Sequence, residues 1–383
     1  MVRRLTPDET GNRVTPVAVP KAVRRLIKDV VLESDGYHAV KSIEETAQEL
    51  GMHPSDIVKL DQNENPYGTS LRVFDTLATY DHFHQYPDAD QRIARERIAA
   101  YTGAQADRIM IGNGSDELID MLVLATIDPG DEVIIPMPTF GVYATRPPLL
   151  GGIVKTVDRK ADFDLNVDAI LNAVTDRTKI IFLAHPNNPT GNLVTNQQLV
   201  RVLRTGALVV VDEAYYEFAD NTLLPMLGEW ENMVVLRTFS KWAGLAGLRV
   251  GYAVFPEKLG KEMWKVKPPF NVSAAGLKAV EAVLDDVEYL RETVSRIRVE
   301  RGRLYRALRK LNFLEPYPSH GNFILCKVTR GDAHDVYRRL RQRGILVRSY
   351  SDSWLRDYIR ISVGTPEDTT VLLRALRGMV EEI

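Results

Sequence analysis

The sequence predicts an α/β fold in which a large domain, built on a mainly parallel sheet flanked by helices, is followed by a smaller C-terminal α/β domain. Between about residues 130 and 255, short apolar runs alternate with amphipathic stretches. The runs are apolar on both faces, which is typical of parallel strands covered by helices on both sides. After Pro268-Pro269 the pattern changes to long helical segments rich in Glu and Arg, which indicates a second unit.

The composition excludes several classes of function. The 383 residues are 45% hydrophobic and 26% charged, and the net charge of −2 gives no electrostatic reason to expect nucleic acid or an anionic membrane as a partner. The single cysteine, Cys326, allows neither an internal disulfide nor a cysteine-based zinc site, and we expect no bound metal. Polar residues follow Arg3-Arg4, and no apolar run reaches the length of a membrane span. We therefore expect a soluble cytoplasmic protein.

The first residues are expected to pack on the domains rather than to form one. Residues 1–35 are predicted to be an N-terminal arm, with a short amphipathic helix over Val23–Val31. Residues 36–66 are predicted to pack with the small domain. They contain a helix over Ser42–Leu50, since Ser42 and Glu45 resemble a capping box and Gly51 ends the helix. A short strand from Val58 then leads into a loop rich in Asn and Pro that suits contact with a ligand.

Residues 67–270 are predicted to form the large domain. A helix over Gln91–Tyr101 ends at Gly103, and the apolar run Ile109–Ile111 leads through a glycine loop to a helix that includes Leu118–Ala125. Further helices are predicted over Val167–Val174 and Gln197–Arg204. The predicted strands of the sheet are Glu132–Ile135, Ile153–Val157, Lys179–Leu183, Ala207–Val211, Met233–Leu236 and Arg249–Phe255.

Residues 271–383 are predicted to form the small domain. Long helical segments are expected over Ala274–Lys310. The strands expected after them are Phe323–Lys327, Ile345–Val347 and Tyr358–Val363, with helices between and after them.

Polar clusters follow the predicted strands of the large domain. They are Pro138–Tyr143, His185–Gly191, Asp212–Tyr215 and Ser240-Lys241. Ligands of open parallel sheets bind beyond the carboxyl ends of the strands, so these clusters are expected to meet at one site. The loop Gly112-Asn113-Gly114 opens a helix at Ser115 and Asp116, where free N–H groups can bind an anion, although either residue also suits a simple N-cap.

Together the clusters provide what a phosphorylated pyridine-aldehyde cofactor requires. Lys241 can form a Schiff base with the aldehyde, and Asp212 can hold the ring nitrogen protonated, an ion pair of roughly 4 kcal/mol at 4 Å and an effective dielectric near 20. The remaining candidates can hold the cofactor in place. Tyr215 and Asn188 can form hydrogen bonds with its phenolic oxygen, and Phe140 can stack on its ring. Its phosphate can be held by the N–H groups of Ser115 and Asp116, the Ser240 hydroxyl and Arg249.

These motifs resemble those of a known family. Asn188–Gly191, Asp212-x-x-Tyr215 and Ser240-Lys241 with Arg249 resemble the signature of aspartate-aminotransferase-like fold type I pyridoxal-phosphate enzymes. With Asn63–Gly68 added, and over residue 37 to the C-terminus, the chain resembles the histidinol-phosphate aminotransferase family. The resemblance implies that Lys241 carries pyridoxal 5'-phosphate and moves the proton. Phe140 stands where the family usually has a tyrosine.

The resemblance also implies a dimer and a substrate site. The tyrosine matching Tyr67 reaches the cofactor phosphate of a partner subunit, which implies a homodimer with shared active sites. Arg360 and Arg348 match arginines that bind the substrate anion. Two arginines suit a pocket that takes a phosphate in one half-reaction and the carboxylate of glutamate or 2-oxoglutarate in the other.

Three other functions remain open at this point. An aromatic amino-acid aminotransferase would prefer phenylalanine or tyrosine to histidinol phosphate. A phospho-amino-acid decarboxylase would release carbon dioxide without forming a keto product. A non-enzymatic binding module is disfavoured because the set of Lys241, Asp212, Tyr215 and Arg249 is intact.

Overall fold

The structure is a computed structural model that describes residues 20–33 and 41–380. Of the predicted N-terminal arm, residues 1–19, 34 and 35 lie outside the described residues. Over the predicted helix Val23–Val31 the chain instead forms two four-residue helices, because Lys28 between them is extended, at ψ 139°, and interrupts the helical hydrogen bonding. Among the described residues, no helix is long and apolar enough to cross a membrane.

The strands of the described part, in chain order, are β1 (Val58–Leu60), β2 (Ile109–Gly112), β3 (Glu132–Met137), β4 (Ile153–Asp158), β5 (Thr178–Ala184), β6 (Leu208–Asp212), β7 (Met233–Thr238), β8 (Gly251–Val254), β9 (Leu314–Pro316), β10 (Phe323–Val328), β11 (Ile345–Ser349) and β12 (Tyr358–Ser362). Each strand predicted from the sequence is present, with ends that differ by a few residues at most.

The α-helices of the described part are α1 (Lys21–Arg24), α2 (Asp29–Leu32), α3 (Ile43–Leu50), α4 (Leu71–Thr79), α5 (Arg92–Thr102), α6 (Ser115–Thr126), α7 (Val142–Thr145), α8 (Val167–Ala173), α9 (Asn196–Leu203), α10 (Tyr216–Ala219), α11 (Glu257–Met263), α12 (Ala274–Leu284), α13 (Val287–Leu308), α14 (Ala333–Gln342) and α15 (Pro366–Gly378). Short 3-10 turns cover Pro54–Asp56, Ala106–Arg108, Pro147–Leu150, Leu224–Glu229 and Ala246–Leu248.

Local sequence signals set several helix ends. The Ser42 hydroxyl accepts a hydrogen bond from the Glu45 N–H at 3.0 Å, and Gly51 ends α3 at φ +66°, a conformation that glycine adopts without strain. The long helical region after residue 274 is divided into α12 and α13 at Asp285 and Asp286. Asp286 accepts a hydrogen bond from the Ser70 hydroxyl, which ties this break to the start of α4.

The larger sheet has seven strands in the order β2-β8-β7-β6-β5-β3-β4. All neighbouring pairs are parallel except those that β8 makes with β2 and β7, which are antiparallel. The central strands are buried on both faces: in β6, Val209 and Val211 pack into one apolar cluster and Val210 into the other. The predicted large domain with a mainly parallel sheet flanked by helices is therefore confirmed.

The smaller sheet has five strands in the order β1-β11-β12-β10-β9. β1, which comes from the early part of the chain, pairs in parallel with β11, and the other pairs are antiparallel. This pairing supports the predicted packing of residues 36–66 with the small domain. Because α12 packs on α4 and α5, residues just after 270 also contact the large domain, so the boundaries at 66 and 270 remain a proposal.

Candidate active site

Lys241 lies three residues beyond the end of β7, in a turn that begins with buried Thr238 and Ser240. Its Nζ atom donates a hydrogen bond to the backbone carbonyl of Gln62 at 2.9 Å. Burial, together with the positive charge of Arg360 as a smaller cause, lowers the pKa of the amine from 10.5 to about 8. A substantial fraction of this lysine is therefore neutral near physiological pH, which is the form that acts as a nucleophile or a base.

Asp212 ends β6, the strand beside β7, and is 6% exposed. Burial raises the pKa of its carboxyl from 3.8 to about 6. The carboxylate accepts hydrogen bonds from two neutral donors, the Tyr143 hydroxyl and the Ala214 N–H, the latter at 3.0 Å. A cationic group bound beside Asp212 would stabilise the carboxylate, as a protonated ring nitrogen would.

Phe140 and Tyr143 form an aromatic wall beside Asp212. Tyr143 is fully buried and stacks on Phe182 with ring centroids 4.6 Å apart, while Phe140 is partly exposed and meets Tyr143 edge to face at 5.5 Å. Burial raises the pKa of the Tyr143 phenol well above its usual value, so the phenol stays a neutral donor to the carboxylate. The predicted stacking of Phe140 on a cofactor ring stays a prediction.

Tyr215 lies three residues after Asp212 and is 6% exposed. Its hydroxyl accepts a hydrogen bond from the Asn63 Nδ2 atom at 3.1 Å, and burial raises its pKa. Asn188, from the loop after β5, accepts a hydrogen bond from an Arg360 Nη1 atom at 2.7 Å. The structure therefore brings Tyr215, Asn188 and Arg360 into one site with Lys241.

The predicted phosphate ligands of the glycine loop and Arg249 lie where β2 and β8 meet the start of α6. Gly114 is at φ +82°, and a Cβ atom on it would lie 2.7 Å from Nη2 of Arg249; one on Gly251 would lie 2.6 Å from the backbone nitrogen of Ser115. The absence of these side chains lets the Arg249 guanidinium and the first N–H groups of α6 approach the same space. Arg249 also pairs with Asp116, at 3.0 Å between Nη2 and Oδ2. The residues present thus fit a phosphate group at a helix N-terminus.

Ser240 lies next to these predicted phosphate ligands. It is 5% exposed, and its hydroxyl lies 2.9 Å from that of Thr238, whose oxygen also bonds the Ser240 N–H at 3.1 Å. The Phe239 N–H donates to the carbonyl of Val250 at 3.0 Å, which holds the turn against the chain that follows Arg249. The predicted phosphate ligands from three separate segments are therefore close in the fold.

The two predicted substrate arginines lie directly opposite each other on neighbouring strands, Arg348 on β11 and Arg360 on β12. Arg360 is 8% exposed; besides Asn188, it donates to the carbonyl of Asp61, and its Nε atom is buried without a hydrogen-bond partner among the described residues. Residues opposed in an antiparallel pair project from the same face, so one bound anion could contact both guanidinium groups.

Tyr67 lies apart from this set. It is half-buried, and the guanidinium of Arg296 on α13 lies 3.8 Å from the centre of its ring. The role implied for it at a partner's cofactor stays a prediction.

Two residues of the site were not given roles from the sequence. Tyr143, which bonds Asp212, follows Phe140 by three residues and looks like an ordinary core aromatic. Asn63, which bonds Tyr215, belongs to a motif quoted above, but its contact is with a residue 152 positions away. The one local signal is the residue type, because asparagine tolerates the φ of +55° that this position adopts better than most residues do.

Comparisons with known proteins identify the family of the chain. The model of the aminotransferase class I and II family matches residues 55–376. The histidinol-phosphate aminotransferase of Dehalococcoides mccartyi (strain ATCC BAA-2266 / KCTC 15142 / 195) is 46% identical over 346 residues, which are 90% of this chain and 95% of that protein. Histidinol-phosphate aminotransferase 1, chloroplastic, of Arabidopsis thaliana is 42% identical over 344 residues, 89% of this chain and 82% of that protein.

Solved structures lead to the same family. The crystal structure of histidinol-phosphate aminotransferase from Sinorhizobium meliloti in complex with pyridoxal-5'-phosphate has a TM-score of 0.84 and 25% identity, and the match covers 93% of this chain and 98% of that one. Aspartate aminotransferase from Thermotoga maritima, at 21% identity and a TM-score of 0.78, shares the fold. The chain belongs to the class I and II aminotransferase family and, within it, to the histidinol-phosphate aminotransferases.

Proposed function

We propose that this chain transfers an amino group between histidinol phosphate and 2-oxoglutarate, giving imidazole-acetol phosphate and glutamate, with Lys241 as the residue that carries the cofactor and moves the proton. Family membership makes the protein a pyridoxal-phosphate-dependent aminotransferase. The observation that carries the assignment of roles is the position of the Lys241 amine among the predicted cofactor ligands. Burial there lowers its pKa to about 8.

Each of the chain's own residues has a task in this reaction. When bound, pyridoxal phosphate supplies an aldehyde carbon that combines with amines and a ring that withdraws electrons from the substrate's α-carbon. Asp212 would keep the proton on the ring nitrogen, and Tyr215 would donate to the phenolic oxygen. Lys241 Nζ would take the proton from the α-carbon and return it on the cofactor side; a pKa near the working pH suits both directions.

The substrate's anionic end would bind between Arg348 and Arg360. A phosphate and a carboxylate both accept two parallel hydrogen bonds from a guanidinium, so one pocket can serve both half-reactions. The buried Nε atom of Arg360, without a partner among the described residues, supports this role because it leaves a donor for the incoming anion.

A second copy of the chain is proposed as the partner, with Tyr67 reaching the neighbour's cofactor phosphate. Large apolar side chains remain exposed just after Tyr67: Leu71 is 77% exposed and Phe74 is 61% exposed, both on α4. Nearby in the chain, Phe83 is 56% exposed. Exposed apolar side chains in such a group are typical of subunit interfaces. We also propose a cytoplasmic location, in keeping with the composition.

Mixed dimers test the shared site. A Lys241→Ala protomer still supplies Tyr67, and a Tyr67→Ala protomer still supplies Lys241, so a mixed dimer has one complete site. Mixing the two inactive or impaired variants under conditions that exchange subunits should restore turnover. If sedimentation shows dimers but mixing restores nothing, Tyr67 does not act across the interface.

The choice of substrate is tested by single half-reactions. The protein loaded with pyridoxal phosphate is mixed with histidinol phosphate, and separately with phenylalanine, in the absence of a keto acid. Rapid loss of the visible band with histidinol phosphate alone is the expected result. A preference for phenylalanine would assign the protein to the aromatic aminotransferases, and release of carbon dioxide would assign it to the decarboxylases.

A further inference from the structure

Asn63 is buried at the junction between the two sheets, where it contacts both sides of the site. It is 1% exposed and lies three residues after β1 of the small sheet. Its backbone N–H donates to the Ser362 hydroxyl oxygen at 2.9 Å, and its Oδ1 lies 2.8 Å from that same hydroxyl. Its Nδ2 donates to the Tyr215 hydroxyl at 3.1 Å. Asn63 thus links Ser362, at the end of β12, to Tyr215 of the large domain.

The chemistry of the donors fixes the direction of each of these bonds. A backbone N–H can only donate, so the Ser362 oxygen accepts from Asn63 and the Ser362 proton remains to be donated to Oδ1. Oδ1 therefore faces Ser362, and Nδ2 faces Tyr215. Since an amide nitrogen only donates, the Tyr215 oxygen must accept from it, and the Tyr215 proton must point away from Asn63.

The same short segment also holds two other residues of the site. The carbonyl of Asp61 accepts from Arg360, and the carbonyl of Gln62 accepts from Lys241. Three consecutive residues, 61 to 63, therefore each bond one proposed functional side chain. The Asn322 Nδ2 fixes the segment itself by donating to the Asn63 carbonyl at 2.9 Å.

We propose that Asn63 is a positioning residue whose amide, oriented by Ser362, makes the Tyr215 hydroxyl an acceptor on the Asn63 side and a donor toward the cofactor's phenolic oxygen. The inference rests on the proposed role of Tyr215 and adds to it a cause for the direction of its proton. Without Asn63, the hydroxyl can rotate and the donor to the cofactor is only partly available.

The readout is the pH at which the visible band of the bound cofactor changes. A donor to the phenolic oxygen stabilises negative charge there, and this charge is largest when Lys241 Nζ, joined to the cofactor's aldehyde carbon, has lost its proton. The donor therefore lowers the midpoint of the titration, and its removal raises the midpoint. Loss of one such hydrogen bond should raise the midpoint of the titration by about one pH unit, which is a tenfold change in the acid dissociation constant.

The first variant is Asn63→Gly, which removes the amide without straining the backbone at φ +55°. It should raise the midpoint in the same direction as Tyr215→Phe and should weaken cofactor binding by the apoprotein. In the Tyr215→Phe background it should cause no further rise, because the hydroxyl through which it acts is gone. The matched control, Asn322→Ala, loosens the same segment but leaves the amide in place, and should leave the midpoint unchanged.

Each result has a distinct meaning. If Asn63→Gly leaves the midpoint at the wild-type value, or shifts it equally with and without the Tyr215 hydroxyl, the inference is wrong while the proposed function stands. If the wild-type protein forms no visible band, the proposed role of Lys241 fails, and this inference fails with it. Should Asn63→Gly not hold the cofactor, Ser362→Ala decides: a smaller rise in the same direction supports the inference, and no rise overturns it.

Discussion

Replacing Lys241 by methionine is expected to make the cofactor-free protein more stable at pH 7. The pKa of the Lys241 amine falls from 10.5 to about 8 in the fold, mainly through burial, and this difference corresponds to on the order of 3 kcal/mol at low pH. Loss of the hydrogen bond to Gln62 offsets about 1 kcal/mol. Because the side chain is partly exposed, solvent reduces the gain further, and we expect a net increase of about 1–2 kcal/mol.

The effect has a defined pH window. Below the folded-state value of about 8, the amine is protonated in both states and the native state bears the full cost of a charged, partly buried group. Between about 8 and 10.5 the unfolded chain binds the proton and the native chain does not, so the wild-type free energy of unfolding rises with pH. The advantage of Lys241→Met should therefore shrink across this interval.

Urea unfolding of the two apoproteins at pH 7 and at about pH 9.5 measures both features. Lys265→Met, at a side chain 70% exposed, is the control and should change the free energy of unfolding by no more than about 0.5 kcal/mol. A Lys241→Met protein that is less stable than wild type at pH 7 would refute the reasoning. So would a stability difference that is the same at both pH values.

Three further changes test other parts of the site. Asp212→Asn should slow the half-reaction about 10³-fold, because an ion pair with the ring nitrogen is worth roughly 4 kcal/mol. Rapid-mixing absorbance measures the rate of the half-reaction, and a rate within tenfold of wild type would contradict the role of Asp212. Arg237→Met removes the cation that lies 2.8 Å from the fully buried Glu213 carboxylate. It should lower the free energy of unfolding, measured in urea, by about 3–5 kcal/mol. An unchanged urea midpoint would mean that the ion pair does not stabilise the fold. Arg360→Lys should raise KM for both histidinol phosphate and glutamate by about 10- to 100-fold in steady-state assays; a rise for only one of them would show that the two anions bind differently.

The sheet and the main residues of the site could be predicted because their signals are local. Strands such as β6 and β7 are short apolar runs, and Asp212 and Lys241 follow them within a few residues. Carboxyl ends of parallel strands meet at one edge, so the proximity of these side chains follows from the fold class alone. The antiparallel placement of β8 was not predicted, because its sequence is as apolar as those of the parallel strands in the same sheet.

The supporting contacts could not be predicted, because they join distant parts of the chain. Asn63 and Ser362 are 299 positions apart, and neither residue has a neighbouring sequence that names its partner. Tyr143 bonds Asp212 from a four-residue helix that carries no periodic signal. Such contacts depend on how the two sheets are placed relative to each other, which is a tertiary property.

The most direct test of the central claim is to locate the cofactor on the chain. The protein is loaded with pyridoxal phosphate, reduced with borohydride, digested and analysed by mass spectrometry. We expect a single modified lysine, Lys241, and no visible band in Lys241→Ala. A cofactor attached to another lysine, or a visible band that Lys241→Ala retains unchanged, would contradict it.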